Sequence, residues 1–321
     1  TNQTAFRLHY VPRTFVNLDG RNGRLPLHIW QKLEPPNPEE PLIPYQVRVP
    51  SLVEWHGYQL WPSRIQPSET IEVILVGERR DEIEPDSDWL ASLRLTSFID
   101  GQLLAEAHFP LQELAHKSRV VQPLQLSVPA NLSPGAYQVE VAFRPQDAAA
   151  DVLLIENNDI QRVFNRWLLT SVVVPPQGEI GPESVPIGAN FGQQIWLRAA
   201  DLPETAAPNT NISLTFFWEA QRAPDFNYTI FIHLLNEAGE LVAGRDTQPL
   251  DGRFPTRLWQ PDEIIPDEHL LALPPDLPAG TYQLYVGLYR LKTGERLPVF
   301  DTADVEQPNG ALLLQTLTVT P

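Results

Sequence analysis

The sequence predicts an all-β protein made of two tandem immunoglobulin-like antiparallel β-sandwiches, joined by a proline-rich linker and preceded by an extra N-terminal strand segment. Three observations indicate this fold. Apolar and polar residues alternate along many short segments, as they do in half-buried strands. Proline contributes 33 of the 321 residues, roughly twice its usual share, which disfavours long helices. Several phrases also occur twice along a chain that is too long for one ordinary domain.

The clearest repeated phrase is NLSPGAYQVEVAF at 131–143, which returns as DLPAGTYQLYVGLY at 276–289. Three further pairs match in the same order: 67–78 with 208–220, 93–111 with 230–250, and 166–175 with 311–321. A catalytic constellation is rarely written twice, whereas a structural unit often is. The repeat therefore predicts scaffold, with the largest loop insertion in the second copy at 250–269.

These matches divide the chain into four parts. Residues 1–46 form an N-terminal extension, in which two strands flank the turn DGRNGR. The first sandwich covers 47–175, the linker 176–185 and the second sandwich 186–321. The prolines of VPPQGEIGPESVP at 174–186 predict a semi-stiff connection.

The ends of the strands carry their own signals. In DGQL and EAGEL, Gly101 and Gly239 supply the positive φ that a hairpin turn needs. Tyr137 and Tyr282 each follow a glycine by two residues at the start of a strand. A tyrosine in that place of an immunoglobulin-like sandwich packs inward and bonds its hydroxyl to backbone upstream, the tyrosine corner.

Composition excludes several function classes. The 40 acidic and 23 basic residues give a net charge of −17, which repels phosphate backbones and anionic membrane surfaces, so no nucleic-acid partner is expected. The absence of cysteine rules out disulfides and thiolate metal sites. The absence of methionine indicates a processed product or a piece of a longer chain, with any signal peptide or membrane anchor outside it.

Aromatic residues give one candidate binding surface. Alternation places Tyr285 and Tyr289 on the outward face of their strand, with Gln283 and Gly287. Trp259, in the loop insertion, is a candidate to join them. Exposed aromatic side chains stack on sugar rings or mark protein interfaces. The alternative is that another part of the chain covers this face.

The segment DEIEPDSDW at 81–89 is the densest acidic stretch. Asp81, Glu84, Asp86 and Asp88 are candidate Ca²⁺ ligands, because alternating carboxylates in a loop supply the hard oxygen ligands that Ca²⁺ takes. The alternative is a solvated acidic loop, and the second copy has no equivalent cluster. No other cofactor is predicted.

Other motifs are sparse. Asn2, Asn211 and Asn227 stand in N-glycosylation sequons, and Asn131 stands in a fourth with a proline after it. The seven histidines are scattered with no HExxH, and GxSxG is absent. No catalytic residue is predicted, and we expect a protein that is not an enzyme.

A family resemblance follows from the strand segments themselves. GYQLWPSRIQPSETIEVIL, YTIFIHLLNEAGELVAGRDTQPL and DLPAGTYQLYVGLYRLKTGERLPV resemble the extracytoplasmic β-sandwich segments of bacterial polytopic membrane glycosyltransferases similar to dolichyl-phosphate-mannose protein mannosyltransferases. The likeness covers nearly all of the second repeat and the first more loosely. It includes no catalytic residue, so it implies an accessory domain rather than transferase chemistry.

We therefore expect a non-catalytic, extracellular or cell-surface module for recognition or assembly, with surface glycan or other protein subunits as partners. The resemblance favours an accessory domain of a membrane glycosyltransferase-like protein. The alternative is a structural subunit of a filament, sheath or layer, in which the C-terminal strand ALLLQTLTV pairs between subunits.

Overall fold

A computed structural model describes residues 10–20, 23–32, 42–49, 52–79, 88–111, 119–156 and 163–320. Strands dominate these residues, which contain three short 3-10 turns and no α-helix. The all-β class predicted from alternation and proline content is therefore confirmed. The chain divides into two compact units: the residues up to Leu132 with Tyr137–Val172, and Ser133–Ala136 with the residues from Val173 onward.

Two strands precede the first sandwich. β1 (Tyr10–Gly20) pairs with β2 (Gly23–Lys32) in an antiparallel two-stranded sheet. The pairing shifts between Pro12 and Thr14, where a proline cannot donate to the ladder. The segment predicted as an N-terminal extension thus contains a hairpin.

Besides this hairpin, the described part of the first unit contains ten strands in two sheets. They are β3 (Ile43–Val49), β4 (Val53–Trp61), β5 (Thr70–Arg79), β6 (Trp89–Ser97), β7 (Leu103–Pro110), β8 (Arg119–Ser127), β9 (Gly135–Pro145), β10 (Leu154–Glu156), β11 (Val163–Phe164) and β12 (Trp167–Val174). One sheet has the order β11-β10-β3-β4-β5-β8 and the other β12-β9-β6-β7. The first sheet begins at Ile43, inside the segment assigned from sequence to the extension.

The second unit contains eleven strands in two sheets. They are β13 (Val185–Phe191), β14 (Ile195–Asp201), β15 (Thr205–Ala206), β16 (Asn211–Ala220), β17 (Thr229–Leu235), β18 (Leu241–Thr247), β19 (Ile264–Ala272), β20 (Gly280–Tyr289), β21 (Val299–Phe300), β22 (Glu306–Gln307) and β23 (Leu312–Val319). The orders are β19-β16-β14-β13-β21-β22 and β15-β23-β20-β17-β18.

The two units have the same strand order. If β15 is set aside, each strand of the second unit takes the place of a strand of the first, from β13 for β3 to β23 for β12. The turns repeat as well, since Gly101 and Gly239 both adopt positive φ between the strands of a hairpin. The repeated phrases of the sequence therefore correspond to one topology used twice.

Each unit has a core between its sheets. In the first, the rings of Trp55 on β4 and Phe143 on β9 stack with centroids 5.8 Å apart, which joins the two sheets. In the second, one cluster of buried apolar residues contains Leu197 from one sheet and Ile230 from the other. Tyr282 is 5% exposed, and its hydroxyl donates to the carbonyl of Pro278 at 2.8 Å, as the tyrosine corner predicts.

The insertion between β18 and β19 folds as two 3-10 turns, Pro249–Gly252 and Thr256–Leu258. Its apolar side chains point into the core, with Phe254 fully buried. The buried Thr256 hydroxyl donates to the carbonyl of Phe226 at 2.7 Å and accepts the N–H of Tyr228 at 3.0 Å. The insertion is therefore a packed part of the second unit.

Candidate functional site

The outward face of the sheet β15-β23-β20-β17-β18 carries the predicted aromatic surface. Alternation along β17 directs Ile230 and Ile232 into the core and leaves Phe231 and His233 outside. In register, Phe231 lies opposite Gly287 of β20, and His233 lies opposite Tyr285. We call Phe231, His233, Tyr285, Tyr289 and Arg296, with Asp246 of β18, the aromatic face.

The ring of Phe231 is held between a backbone and a cation. A Cβ added at Gly287 would lie 2.2 Å from the Phe231 ring, so only glycine leaves room for the ring against β20. On the other side, the guanidinium carbon of Arg296 is 4.2 Å from the ring centroid. Phe231 is consequently 2% exposed although it points away from the core.

Asp246 connects the polar groups of this face. The Tyr289 hydroxyl donates to Asp246 Oδ2 at 2.9 Å, and His233 Nε2 lies 3.7 Å from Asp246 Oδ1. The His233 and Tyr289 rings flank Phe231, with centroids at 4.7 and 6.3 Å from it. The rings thus form one continuous layer across β17 and β20.

Two groups of this layer have shifted pKa values. Partial burial lowers the pKa of His233 below its usual 6.5, Asp246 acts in the opposite direction, and the charge of Arg296 lowers the pKa further. Partial burial, followed by the hydrogen bond to Asp246, raises the pKa of the Tyr289 phenol. Both shifts favour neutral rings at neutral pH.

A second ring covered by an arginine lies in the loop between β16 and β17. Phe226 is 44% exposed, and the Arg290 guanidinium lies 3.7 Å from its ring centroid. Arg290 also pairs with Glu295 at 3.1 Å. The second unit thus stacks Arg290 on Phe226 as it stacks Arg296 on Phe231.

The equivalent face of the first unit is ionic. Arg94 of β6 pairs with Glu106 at 2.6 Å and with Asp151 at 2.8 Å. Ser92 takes the place of Phe231, and its hydroxyl lies 2.8 Å from His108 Nδ1. The two units share their topology and differ in the chemistry of this face.

Trp259 does not belong to the aromatic face. It is 1% exposed, its indole N–H donates to the carbonyl of Phe254 at 3.0 Å, and its ring packs 6.5 Å from that of Trp218. Its prediction as a ligand or interface residue was wrong because the insertion that carries it folds back over the core. Tyr285 and Tyr289 remain partly exposed at the surface.

The acidic segment is described only at its end. Asp81, Glu84 and Asp86 lie outside the described residues, and Asp88 is exposed just before β6. Among the residues that the structure describes, no three His, Asp or Glu side chains are grouped to hold a metal ion. A Ca²⁺ site at this segment stays a prediction.

The predicted sequons are at the surface where they are described. Asn211 is exposed at the first residue of β16, and Asn131 is exposed in a turn. Asn227 is exposed, and its Oδ1 accepts the N–H of Arg257 at 3.3 Å. Asn2 lies outside the described residues.

Sequence reasoning missed a buried polar pair in β19. Asp267 and His269 are 0% and 2% exposed, with Asp267 Oδ2 2.9 Å from His269 Nε2. Asp267 Oδ1 also accepts the N–H of Leu250, whose φ of 51° is left-handed. The sequence did contain a signal for this pair: Asp267 and His269 stand at alternating positions with Ile265 and Leu271, on the side of β19 that faces the core. The pair holds the insertion against the sheet.

No known protein family and no curated protein shows detectable similarity to the chain. One solved structure, described as "pT26-6p", is 9% identical, and the similarity covers 88% of this chain and 67% of that chain with a TM-score of 0.26. A similarity at that TM-score supports no argument about fold or function. Among the described residues there is no helix with the length and hydrophobicity needed to cross a bilayer.

Proposed function

We propose that this chain is a non-catalytic, extracytoplasmic recognition module of two immunoglobulin-like sandwiches, and that it binds surface glycan through the aromatic face. The observation that carries the proposal is the difference between the two units. One topology occurs twice, and the same sheet face is closed by ion pairs around Arg94 in one copy and built of rings around Phe231 in the other.

The immunoglobulin-like assignment is supported by the two-sheet core and by Tyr282. Its hydroxyl reaches back to the carbonyl of Pro278, and Leu284 stands where an antibody domain has its second cysteine. The resemblance to the sandwich segments of membrane glycosyltransferases favours an accessory domain of such a protein. In that setting we expect a glycan ligand, because a partly exposed tyrosine offers an apolar ring together with a polar hydroxyl.

Binding of the full chain to an array of neutral and acidic glycans tests the proposal. We expect selective retention, and we expect Tyr285→Ala to weaken it about 10-fold because a stacking ring is lost. Leu270→Ala is the matched control, since Leu270 is an exposed apolar residue of the other sheet. An array without any retained glycan, or equal binding by Tyr285→Ala, would overturn the proposal.

A structural subunit is the second candidate, and an open sheet edge favours it. β18 is the outermost strand of its sheet, and Leu241 at its start is 57% exposed. The C-terminal strand β23 suits strand addition less, because β15 pairs with Thr318 and Val319, and the Thr320 N–H donates to Ala206 at 2.9 Å.

Sedimentation of the chain over a range of concentrations separates the two candidates. A structural subunit should form polymers that a lysine at position 244, in Gly244→Lys, prevents by placing a charge in β18. A recognition module should remain at one size. Polymers that form equally in Gly244→Lys would exclude assembly through this edge.

A further inference from the structure

Arg296 is an arginine without a carboxylate partner in an acidic chain. Its side chain is exposed, its Nη1 donates to the carbonyl of Asn309 at 3.0 Å, and its guanidinium covers Phe231. No carboxylate of the described residues lies within ion-pair distance of it. Among the described residues, Arg253 and Arg257 of the same unit also have no carboxylate partner, whereas four other arginines do: Arg198 with Glu219, Arg222 with Asp225, Arg245 with Asp251 and Arg290 with Glu295.

The guanidinium of Arg296 is also held in place. The stack on Phe231 fixes its plane, and the bond to Asn309 uses one of its nitrogens. Nε and Nη2 remain available, and these two donors form the fork that binds both oxygens of a carboxylate. A preorganised arginine loses less side-chain entropy when it binds than a free one does.

The rings next to Arg296 indicate which kind of ligand would carry a carboxylate for it to bind. Tyr285 lies beside His233 across the strands, and His233 is two residues from Phe231, which is a spacing of about 7 Å along a strand. A sugar ring stacked on Tyr285 could therefore place an acidic substituent at the guanidinium that covers Phe231. His233 lies between the two positions and is able to donate a hydrogen bond to the ligand.

We propose that the aromatic face selects carboxylate-bearing glycans, with Tyr285 stacking on a hexuronate ring and Arg296 binding its carboxylate. This inference rests on the proposed function and specifies its ligand class. A large polyanion would meet the repulsion of a chain with a net charge of −17. A short acidic glycan responds mainly to charges within the Debye length of about 8 Å, which on this face are those of Arg296 and, opposing it, Asp246.

Calorimetric titration of the full chain with a trimer of galacturonic acid and with its methyl ester tests the inference. The ester keeps the ring and loses the charge. We expect the acid to bind about 10-fold more tightly than the ester, and we expect this ratio to fall to about 1 in Arg296→Gln.

Two further variants complete the test. Arg222→Gln is the control for loss of one positive charge, because Arg222 lies in the same unit and is already paired with Asp225. It should leave the affinities for the acid and for the ester unchanged. Arg296→Lys keeps the charge without the fork and should retain only part of the preference, which also gives an answer if Arg296→Gln fails to fold.

The outcomes separate this inference from the proposed function. Equal binding of acid and ester by the unmodified chain overturns the role of Arg296 and leaves glycan recognition in place. Failure of both to bind overturns the inference, and the array then decides on glycan recognition by itself. A preference for the acid that survives in Arg296→Gln also overturns it.

Discussion

Two tyrosine hydroxyls of β20 lie in different surroundings. That of Tyr282 is in a mostly buried side chain and donates to the carbonyl of Pro278, whereas that of Tyr285 donates to the exposed Gln283 side chain at 3.0 Å. We expect Tyr282→Phe to lower the free energy of unfolding by about 1 kcal/mol, because the hydrogen bond that this mostly buried side chain donates is lost. Tyr285→Phe should change it far less. Urea denaturation measures both, and equal losses would contradict a structural role for the corner.

His233 should make stability depend on pH. Its folded-state pKa lies below the 6.5 expected for an unfolded chain, so the unfolded state binds more protons as pH falls through that range. The neutral ring therefore contributes stability above pH 6.5, and this contribution is lost as pH falls from 6.5 toward the folded-state pKa. Asp246 and Arg296 act on this ring from the neighbouring strand and loop.

The substitution His233→Gln should flatten that dependence. Melting temperatures of the variant and the unmodified chain, measured from pH 7 to pH 5, should converge as pH falls, since the variant lacks the imidazole that takes up a proton at position 233. Parallel curves over that range would show that His233 is not the group responsible.

At the scale of elements, Gly287 determines how β17 and β20 present their rings. We expect Gly287→Ala to cost about 1–3 kcal/mol, because its methyl group would occupy the position of the Phe231 ring and approach the Gly310 carbonyl at 2.6 Å. Displacement of Phe231 should also break the contact with Arg296.

Gly244→Ala in the adjacent strand β18 is the control. A Cβ there meets its nearest atom at 3.5 Å, an ordinary contact, so its effect should stay within about 0.5 kcal/mol. Chemical denaturation compares the two variants. If the two variants are equally stable, Phe231 does not pack closely against Gly287.

The strands could be predicted from sequence better than the aromatic face. Alternation placed Tyr285 and Tyr289 outside, and the glycine turns placed the hairpins. The position of Phe231 depends on its register with Gly287 across two strands, and that of Arg296 depends on how the loop after β20 closes. Local periodicity predicts neither position. The prediction for Trp259 was wrong for the same reason, because the sequence of a loop does not show whether the loop folds over the core.

At the scale of the whole molecule, each unit has a core of its own. Trp55 of the first unit packs on Phe143, and Trp218 of the second packs on Phe191 with centroids 5.5 Å apart. We expect Trp55→Ala and Trp218→Ala each to cost about 3–5 kcal/mol, because each empties a buried site. Hydrogen exchange should accelerate in β5 for the first variant and in β16 for the second. Exchange that accelerates equally in both strands would mean that the units unfold together.

At this scale the internal repeat could be predicted from the sequence, and the repeat implied that the two units share one topology. The repeated phrases lie in strands that occupy equivalent places, because the same pattern of inward residues requires the same neighbours. The boundaries were harder to predict. β3 begins at Ile43 beyond a run of prolines, and such a run hides the start of a strand.

The shared strand order has a consequence for biosynthesis. Adjacent copies of one topology can exchange strands while the chain emerges from the ribosome, and such misassembly is a common failure of tandem domains. If β20 docked where β9 belongs, Arg94 would face the phenol of Tyr285 instead of the carboxylate of Glu140, its partner in register. We therefore expect the contrast between a charged and an aromatic exterior to disfavour exchange of strands between the two halves of the nascent polypeptide.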